Sequence, residues 1–352
     1  MRLSLVVPCY NEEDGLGRLH QRLCETLPAV TDDFEVLLVD DGSSDQTLAT
    51  MREIASTDPR FRYLALSRNF GKESAMLAGL SQADGDVVAI IDADLQHPPE
   101  LLKQMVDKLT EGYDQVVAKR SRTGDGALRS FVSSMYYKFI NNLVDVKLEN
   151  GVGDFRVLTR KAVQALLSLG EYNRFSKGLF SWIGFDTASI EYENVVRQDG
   201  QSKWSARKLI DYGIDGVVSF NNRPLRLAIY LGALCTAFAF VYAVWVLIDA
   251  LVKGNAVPGY VTLMCGIVGF GGLQLLILGV IGEYLGRIYY ESKRRPHFLI
   301  KEASSQSVPV TVSLGPEHAE EMALHHPEQL RAGSNGHGPD LKTGAGQSGV
   351  AK

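Results

Sequence analysis

Two aspartates separated by a single alanine are the residues of this chain best suited to chemistry. Asp92 and Asp94 directly follow Val87–Ile91, an apolar run with the length of a buried strand, and the polar run Gln96–Pro99 comes next. Carboxylates at i and i+2 of a strand end can both reach one hard cation, and Mg²⁺ sites typically pair one or two carboxylates with substrate phosphates. The triplet therefore predicts a Mg²⁺ or Mn²⁺ site that neutralises a phosphate-bearing leaving group.

Two more polar clusters follow predicted strands in the same way. Residues 8–13 come after the apolar run Leu3–Val7, and residues 40–45 come after Glu35–Val39. An aspartate in the second cluster could accept a hydrogen bond from the N–H of a nucleotide base. The same acidic and serine residues could instead form a turn and cap the next helix. Both interpretations stay open on the residues alone.

The elements that must position these clusters alternate along residues 2–120. Predicted strands cover residues 3–7, 35–39, 61–66, 87–91 and 115–118, and predicted helices lie near 13–27, 45–56, 72–82 and 99–110. This alternation is typical of an α/β fold, a parallel sheet covered by helices on both faces. Ligands bind beyond the carboxyl ends of such strands. We therefore expect the three clusters to converge on one edge of the sheet.

Two long uncharged windows near the C-terminal end predict membrane spans. There are 22 residues without formal charge between Arg226 and Asp249, and 29 between Lys253 and Glu283. A spanning helix needs about 20 mostly apolar residues. Basic residues flank the pair on its outer sides, which predicts a multi-pass protein of the inner or plasma membrane with both termini cytoplasmic. The first apolar run, Leu3–Val7, has only strand length, so we expect no signal peptide.

The overall composition excludes several other classes of protein. The chain has 352 residues, 22% of them charged, and a net charge of −5, so nothing indicates nucleic-acid binding. Its four cysteines are scattered without metal-ligand spacing, which fits a reducing compartment. Gly282 and Gly286, a small-xxx-small pair at the end of the second predicted span, permit close contact between helices, and the prediction of a homo-oligomer rests on this pair alone.

The predicted domain organisation has five parts. The catalytic domain covers 1–204, an interfacial helix or linker 205–224, a two-helix anchor 225–290, a basic juxtamembrane segment 291–303 and a disordered cytoplasmic tail 304–352. Apolar residues in 127–143 recur at helical spacing. That helix either covers the core of its own domain or lies on the membrane surface.

Five separated motifs resemble one known family. They are residues 5–13 (LVVPCYNEE), 39–45 (VDDGSSD), 91–99 (IDADLQHPP), 153–156 (GDFR) and 200–204 (GQSKW). In this order they resemble the family 2 glycosyltransferases with the GT-A, Rossmann-like fold. The two predicted spans narrow the resemblance to polyprenyl-phosphate glycosyltransferases, namely dolichol-phosphate mannose synthases and, more closely, bacterial undecaprenyl-phosphate glucosyltransferases.

The resemblance implies roles for residues at matching positions. Nucleotide and donor contacts fall to Pro8, Tyr10, Glu12, Asp41, Asp92, Arg120 and Lys203. The metal ligands are expected to be Asp92, Asp94 and Gln96. Contacts to the acceptor phosphate fall to Arg129, Ser133, Arg197 and Ser202. Catalytic roles are expected for Asp94, Asp154, Arg129 and Lys203.

The implied reaction is transfer of a sugar, with inversion, from a nucleotide-sugar to a polyprenyl phosphate at the cytoplasmic membrane face. UDP-glucose is the preferred donor, and GDP-mannose is the alternative. The acceptor phosphate is largely ionised at neutral pH, so Asp154 is expected to orient groups more than to remove a proton. A processive polysaccharide synthase is disfavoured by the Gln201–Trp204 run and the number of spans. A non-catalytic nucleotide-sugar-binding scaffold is disfavoured by the intact Asp92–Asp94 pair.

Overall fold

The computed structural model describes residues 1–120, 151–192, 223–253 and 259–304. Its strands are β1 (Leu3–Cys9), β2 (Phe34–Asp40), β3 (Phe61–Leu66), β4 (Val87–Ile90), β5 (Gln115–Arg120), β6 (Val152–Thr159), β7 (Thr187–Tyr192) and β8 (Ile300–Ala303). Its helices are α1 (Glu13–Thr26), α2 (Thr47–Thr57), α3 (Lys72–Gln82), α4 (Leu101–Thr110), α5 (Arg160–Leu167), α6 (Ser176–Trp182), α7 (Arg223–Lys253) and α8 (Tyr260–Ser292). The five strands and four helices predicted before residue 120 are confirmed.

The strands form one sheet in the order β7-β5-β6-β4-β1-β2-β3-β8. The parallel sheet predicted for residues 2–120 is confirmed in the pairs β1–β2, β1–β4 and β2–β3, whereas β6 and β8, which lie outside that range, run antiparallel to their neighbours. β5 ends and β6 begins at the same edge of the sheet, and the two strands pair antiparallel. As a result β6 begins where β4 ends.

Apolar side chains bury both faces of the sheet. One core cluster packs α1, α2 and α4 against alternate residues of the strands, including Leu3, Leu5 and Val7 of β1. The other packs α3, α5 and α6 against the opposite face, where Val6 points. Alternation along β1 follows from the two-residue period of a strand, and helices on both faces leave the sheet edges as the place for polar groups.

The two C-terminal helices are the region of the predicted anchor. Within the described part of the chain, one helical segment, Gly269–Ser292, is long and apolar enough to cross a membrane. The apolar stretch recognised inside α7 is shorter, Ala228–Tyr242. The second of the two expected spans therefore stays a prediction. Large apolar side chains such as Phe238, Trp245 and Leu275 lie exposed on these helices, with 60–72% of their surface accessible.

A short strand after α8 returns the chain to the catalytic sheet. Although residues 291–303 were expected to be a basic juxtamembrane segment, Ile300–Ala303 pairs antiparallel with β3. Phe298 is 2% exposed within the second core cluster. Arg52 donates to both carboxylate oxygens of Glu302, at 2.8 and 2.7 Å. The described end of the chain is thus part of the fold.

Candidate active site

The ends of β4 and the start of β6 bring two carboxylates together. Ile90 pairs with Arg156 in the antiparallel register, so Asp92, two residues after Ile90, lies opposite Asp154, two residues before Arg156. Both side chains are partly buried, with 25% and 17% of their surface exposed. The reversed direction of β6 is what places Asp154 at the carboxyl edge of the parallel strands. Asp92 lies at this edge of the sheet, as predicted, and Asp154 lies beside it.

Lys72 bridges the two carboxylates. Its ammonium nitrogen lies 2.6 Å from Asp92 Oδ1 and 2.5 Å from Asp154 Oδ2. Lys72 is the first residue of α3, which begins directly after the loop that leaves β3. The side chain is 43% exposed, so it reaches the acidic pair from the solvent side of the edge.

The electrostatics of this trio follow from burial opposed by charge. Burial alone would raise the pKa of Asp92, but His97 and Lys72 hold it well below its usual range. Burial likewise acts to raise the pKa of Asp154, and Lys72 holds that pKa below its usual value. The two carboxylates in turn raise the pKa of Lys72, against the lowering effect of burial. All three groups are therefore charged at neutral pH.

His97 supports Asp92 from the other side. Its Nε2 lies 3.7 Å from Asp92 Oδ2, and its Nδ1 lies 2.6 Å from the hydroxyl of Tyr192. We assign the tautomer in which Tyr192 donates to Nδ1 and Nε2–H faces the carboxylate. The ring also contacts Phe155, with 5.4 Å between ring centroids. Arg120 pairs with Tyr192 across β5 and β7, so this predicted donor-binding residue lies at the same edge.

Asp41 and Gly42 hold the loop that presents Lys72. The carboxylate of Asp41 accepts hydrogen bonds from the backbone N–H groups of Phe70 at 2.7 Å and Gly71 at 2.9 Å. Gly42 has φ +68°, and a Cβ there would lie 2.4 Å from the backbone carbon of Arg68. Only glycine permits both the positive φ and this close approach. The turn, one of the two interpretations left open for residues 40–45, is therefore present and positions the loop between β3 and α3.

Glu73 lies next to Lys72, behind the acidic pair. Its Oε2 accepts a hydrogen bond of 3.2 Å from the backbone N–H of Ser176. Burial and the charge of Asp154 raise the pKa of Glu73 to about 7. The carboxyl group is therefore partly protonated near neutral pH, unlike Asp92 and Asp154.

The other predicted residues of the site fall into two groups. Pro8 is buried in β1, Tyr10 is 42% exposed just beyond it, and Glu12 lies before α1 with its N–H donating to Thr47 Oγ1 at 2.8 Å. Asp94 accepts a hydrogen bond from the N–H of Gln96 at 3.2 Å. The residues outside the described ranges are Arg129, Ser133, Arg197, Ser202 and Lys203. Their roles stay predictions.

Sequence reasoning missed Lys72, Glu73 and Tyr192 as residues of the site. A signal for the first two was present, because the polar residues Ser67–Asn69 and the pair Lys72 and Glu73 follow the end of β3 much as the three recognised clusters follow their strands. The helix predicted near 72–82 includes both residues and by itself indicates no chemistry for them. Tyr192 ends β7, whose parallel pairing with β5 no sequence pattern indicated.

The residues present fit a divalent cation. A positive group already lies between Asp92 and Asp154, so the position attracts cations, and one ammonium leaves the two carboxylates with a surplus negative charge. Asp94 lies two residues beyond Asp92 and adds another carboxylate to this edge. An all-oxygen donor set of this kind suits Mg²⁺ or Mn²⁺.

A second cluster of possible metal ligands lies at the opposite edge of the sheet. Cys24 Sγ is 3.5 Å from His20 Nε2 and 3.8 Å from Asp58 Oδ2. Arg60, however, donates to both oxygens of Asp58, from Nε at 2.9 Å and from Nη2 at 2.6 Å. Burial, followed by the charge of Asp58, raises the pKa of the Cys24 thiol, which disfavours the thiolate. This cluster is therefore a neutral ion-pair network between α1 and the start of β3.

Comparison with known proteins places this geometry in a family. Residues 4–167 match the family model described as Glycosyl transferase family 2, and residues 223–288 match the GtrB C-terminal hairpin. CsbB of Bacillus subtilis (strain 168) is 51% identical over 302 residues, covering 86% of this chain and 92% of that protein. The bactoprenol glucosyl transferase of Shigella phage SfV is 41% identical over 302 residues, covering 86% of this chain and 98% of that protein.

A solved structure also resembles this chain at a greater distance. The mannosyltransferase PcManGT from Pyrobaculum calidifontis, in complex with GDP-Man and Mn²⁺, has a TM-score of 0.46 and 17% identity, covering 83% of this chain and 86% of that chain. At these values the likeness bears on neither the donor nor the metal of this protein.

The Rossmann-like sheet with acidic residues at its carboxyl edge defines a glycosyltransferase of the GT-A fold. The chain belongs to glycosyl transferase family 2 and carries the C-terminal hairpin found beside that domain in GtrB. The family predicted from the five motifs is thus confirmed.

Proposed function

We propose that this enzyme transfers a sugar, with inversion, from a nucleotide-sugar to a polyprenyl phosphate at the cytoplasmic face of the membrane. Glucose from UDP-glucose is the preferred donor. The observation that carries the proposal is the pair Asp92 and Asp154, charged and bridged by Lys72 at the carboxyl edge of the sheet. The bactoprenol glucosyl transferases that share about two fifths of its residues support the acceptor and the sugar.

The proposed cofactor is Mg²⁺ or Mn²⁺, held by Asp92 and Asp94, with Gln96 beside them. When bound, the ion supplies positive charge to the diphosphate as it departs. Lys72 adds a second positive charge at the same edge, and His97 keeps Asp92 oriented and ionised. These groups lie together at one edge before the reaction, where they can stabilise the developing charge.

Asp154 acts in this scheme as an orienting group. Its pKa is held below its usual value and its Oδ2 is bound to Lys72, so it is a weak proton acceptor at neutral pH. The attacking phosphate oxygen is already largely ionised and needs no strong base. The demand on the protein is to bring two anions together, and correct positioning can supply on the order of 7–11 kcal/mol of the barrier.

The proposed anchor consists of α7 and α8 as two spans, with the catalytic domain and both termini in the cytoplasm. The match to the GtrB hairpin over residues 223–288 and the apolar segment Gly269–Ser292 support it. The proposed boundaries of the catalytic domain, linker, anchor, juxtamembrane segment and tail are 1–204, 205–224, 225–290, 291–303 and 304–352. A homo-oligomer through Gly282 and Gly286 stays a prediction.

The experiment that tests the function offers several labelled nucleotide-sugars to membranes containing the protein and polyprenyl phosphate. Formation of a lipid-linked sugar from UDP-glucose, and its absence with Asp94→Ala inserted at the same level, is the expected result. Preference for GDP-mannose would show that the transferred sugar is mannose, and the class of reaction would stay the same. Binding of nucleotide-sugars without any transfer would contradict the proposal and favour the scaffold.

A further inference from the structure

The chain after the apolar helix α8 is attached to the catalytic domain in two places. The first place is the edge of the sheet, where β8 pairs with β3 and Phe298 enters the core. The hydroxyl of Tyr63 donates to Glu302 at 3.1 Å, in addition to the pairing of Glu302 with Arg52. This attachment alone would leave the helix end tethered by the stretch between Ser292 and Phe298.

The second attachment joins the end of α8 directly to a loop of the catalytic domain. Glu291 Oε1 accepts hydrogen bonds from the backbone N–H groups of Tyr172 at 2.8 Å and Asn173 at 3.3 Å. The ring of Tyr172 stacks on Tyr290 with 5.7 Å between centroids and an angle of 5°. It also stacks on His297 at 5.7 Å. Tyr172 of the loop therefore contacts the chain both before and after the end of α8.

The same loop leads to the site. Arg174, the next residue, donates to the carbonyl oxygens of Leu169 at 2.7 Å and Leu166 at 3.3 Å, which stabilises the loop against the end of α5. Two residues later the N–H of Ser176 donates to Glu73. Glu73 neighbours Lys72, which binds both acidic residues. Hydrogen bonds and short stretches of chain therefore connect the end of α8 to the carboxyl edge of the sheet.

The length of α8 places this contact at the membrane boundary. Its 33 residues make a helix of about 50 Å, longer than the roughly 30 Å of a hydrocarbon core. Because the helix is longer than the core and its apolar segment ends at Ser292, its last turn, with Tyr290 and Glu291, lies at the membrane boundary next to the catalytic domain. A lipid phosphate is confined to that same plane, so the contact sets the height of the site above it.

We infer that Glu291 is a positioning residue, whose carboxylate fixes the loop at Tyr172 and Asn173 and so holds the sugar-transfer site at the level of a membrane-bound acceptor phosphate. The inference rests on the proposed function for its acceptor. A tether without this contact would let the domain tilt, and a displacement of about 1 Å can cost about 100-fold in rate. Glu291 touches no reacting group, so its effect depends on where the acceptor is.

The experiment compares two acceptors, a long-chain polyprenyl phosphate in vesicles and a short, water-soluble prenyl phosphate. Glu291→Ala should lower kcat/KM about tenfold or more with the vesicle acceptor and leave the soluble acceptor close to wild type. Glu291→Gln keeps an oxygen that accepts both N–H groups and should restore most of the activity. Glu283→Ala is the matched control, because it removes a carboxylate from the same helix that pairs only with Arg287 at 3.4 Å in the described structure.

Hydrogen exchange of the protein without ligands gives a readout that does not depend on activity. Exchange at the amides of Tyr172 and Asn173 should accelerate in Glu291→Ala and stay at the wild-type rate in Glu283→Ala. Unchanged exchange, unchanged vesicle kinetics, or equal losses with both acceptors would overturn the inference. Failure of the wild type itself to transfer sugar to either acceptor would instead overturn the proposed function, while the exchange result would still decide the contact.

Discussion

The two edges of the sheet carry clusters built from similar residues that differ in their balance of charge. At the carboxyl edge, Asp92 and Asp154 share a single Lys72, so negative charge is left over. At the amino edge, Asp58 is fully engaged by Arg60, beside the uncharged thiol of Cys24. Both clusters contain groups that ligate metals, and among the ion pairs of the described residues the carboxylates outnumber the cation that bridges them at the carboxyl edge.

The two clusters differ in charge because their cations, Arg60 and Lys72, come from different positions in the chain relative to the carboxylates. Arg60 lies two residues from Asp58, and its planar guanidinium matches the carboxylate with two hydrogen bonds. Lys72 is a point charge on a separate helix, and it is divided between carboxylates from two strands. A divided point charge is easier to displace than a forked pair. The presence of metal-ligating side chains is therefore not enough to define a metal site. The charges of the neighbouring groups must be counted as well.

Neutralising one acidic residue at each edge gives the largest expected difference between them. Asp92→Asn should lower sugar transfer on the order of 100- to 1,000-fold, because the variant loses charge opposite the departing diphosphate. Asp58→Asn, the same change at the other edge, should transfer sugar at close to the wild-type rate. Initial rates at equal amounts of inserted protein check this. Equal losses in both variants would remove the functional distinction between the clusters.

Replacing Lys72, the cation shared by Asp92 and Asp154, should change the metal affinity of the carboxyl edge. Lys72→Met should tighten Mn²⁺ binding about tenfold in the absence of donor, because a competing positive charge some 4 Å away is worth about 1–4 kcal/mol. Titration calorimetry on the purified protein measures it. Arg60→Met is the control, and it should leave Mn²⁺ affinity at the wild-type value. Weaker binding in Lys72→Met would show that the lysine supports the ion and does not compete with it.

The protonated carboxyl group beside the site gives a smaller effect that depends on pH. Glu73 has its pKa raised from 4.5 to about 7, so the folded protein retains a proton that the unfolded chain releases. Its contribution to stability is therefore full below about pH 4.5 and falls as the pH rises towards 7. Glu73→Gln lacks this titration, so the Tm of the variant relative to wild type should rise across that window. A constant difference in Tm would contradict the assigned pKa.

Removing the residues after Ser304 should have the smallest effect on sugar transfer at the carboxyl edge. Ending the chain after Ser304 keeps β8 and should leave transfer and Tm near the wild-type values. Ending it after Arg295 removes β8 and the buried Phe298, and loss of a buried phenylalanine typically costs about 3–5 kcal/mol. Thermal unfolding of both truncations checks this. A large loss of transfer after the first cut would show that the tail has a role at the site.

Much of the fold was predictable because its signals are local. Runs such as Leu3–Val7 and Val87–Ile91 have strand length and end in polar clusters, and the structure confirms both strands within two residues at each end. β8 escaped prediction because four residues of mixed polarity carry no period that separates a strand from a loop. Its position depends on pairing with β3, a contact between residues more than 200 apart in the sequence.

The site was predictable to the extent that its residues follow strands in the expected way. Asp92 was found from the residues themselves, and Asp154 only through the family resemblance, because an antiparallel strand presents its first residues at the carboxyl edge. Lys72 was missed because a lysine in the first turn of a helix is ordinarily a solvated residue. Its bridging role depends on two strands distant in sequence, and no local pattern records that.

Binding of Mn²⁺ in the presence of UDP-glucose tests the central claim most directly. The free Mn²⁺ signal in electron paramagnetic resonance falls as the ion binds, so the bound fraction can be counted for each variant. The account predicts about one bound ion per chain for the wild type and for Asp58→Asn, and none at the same concentrations for Asp92→Asn. Binding by Asp92→Asn equal to that of the wild type, or binding lost only in Asp58→Asn, would contradict it.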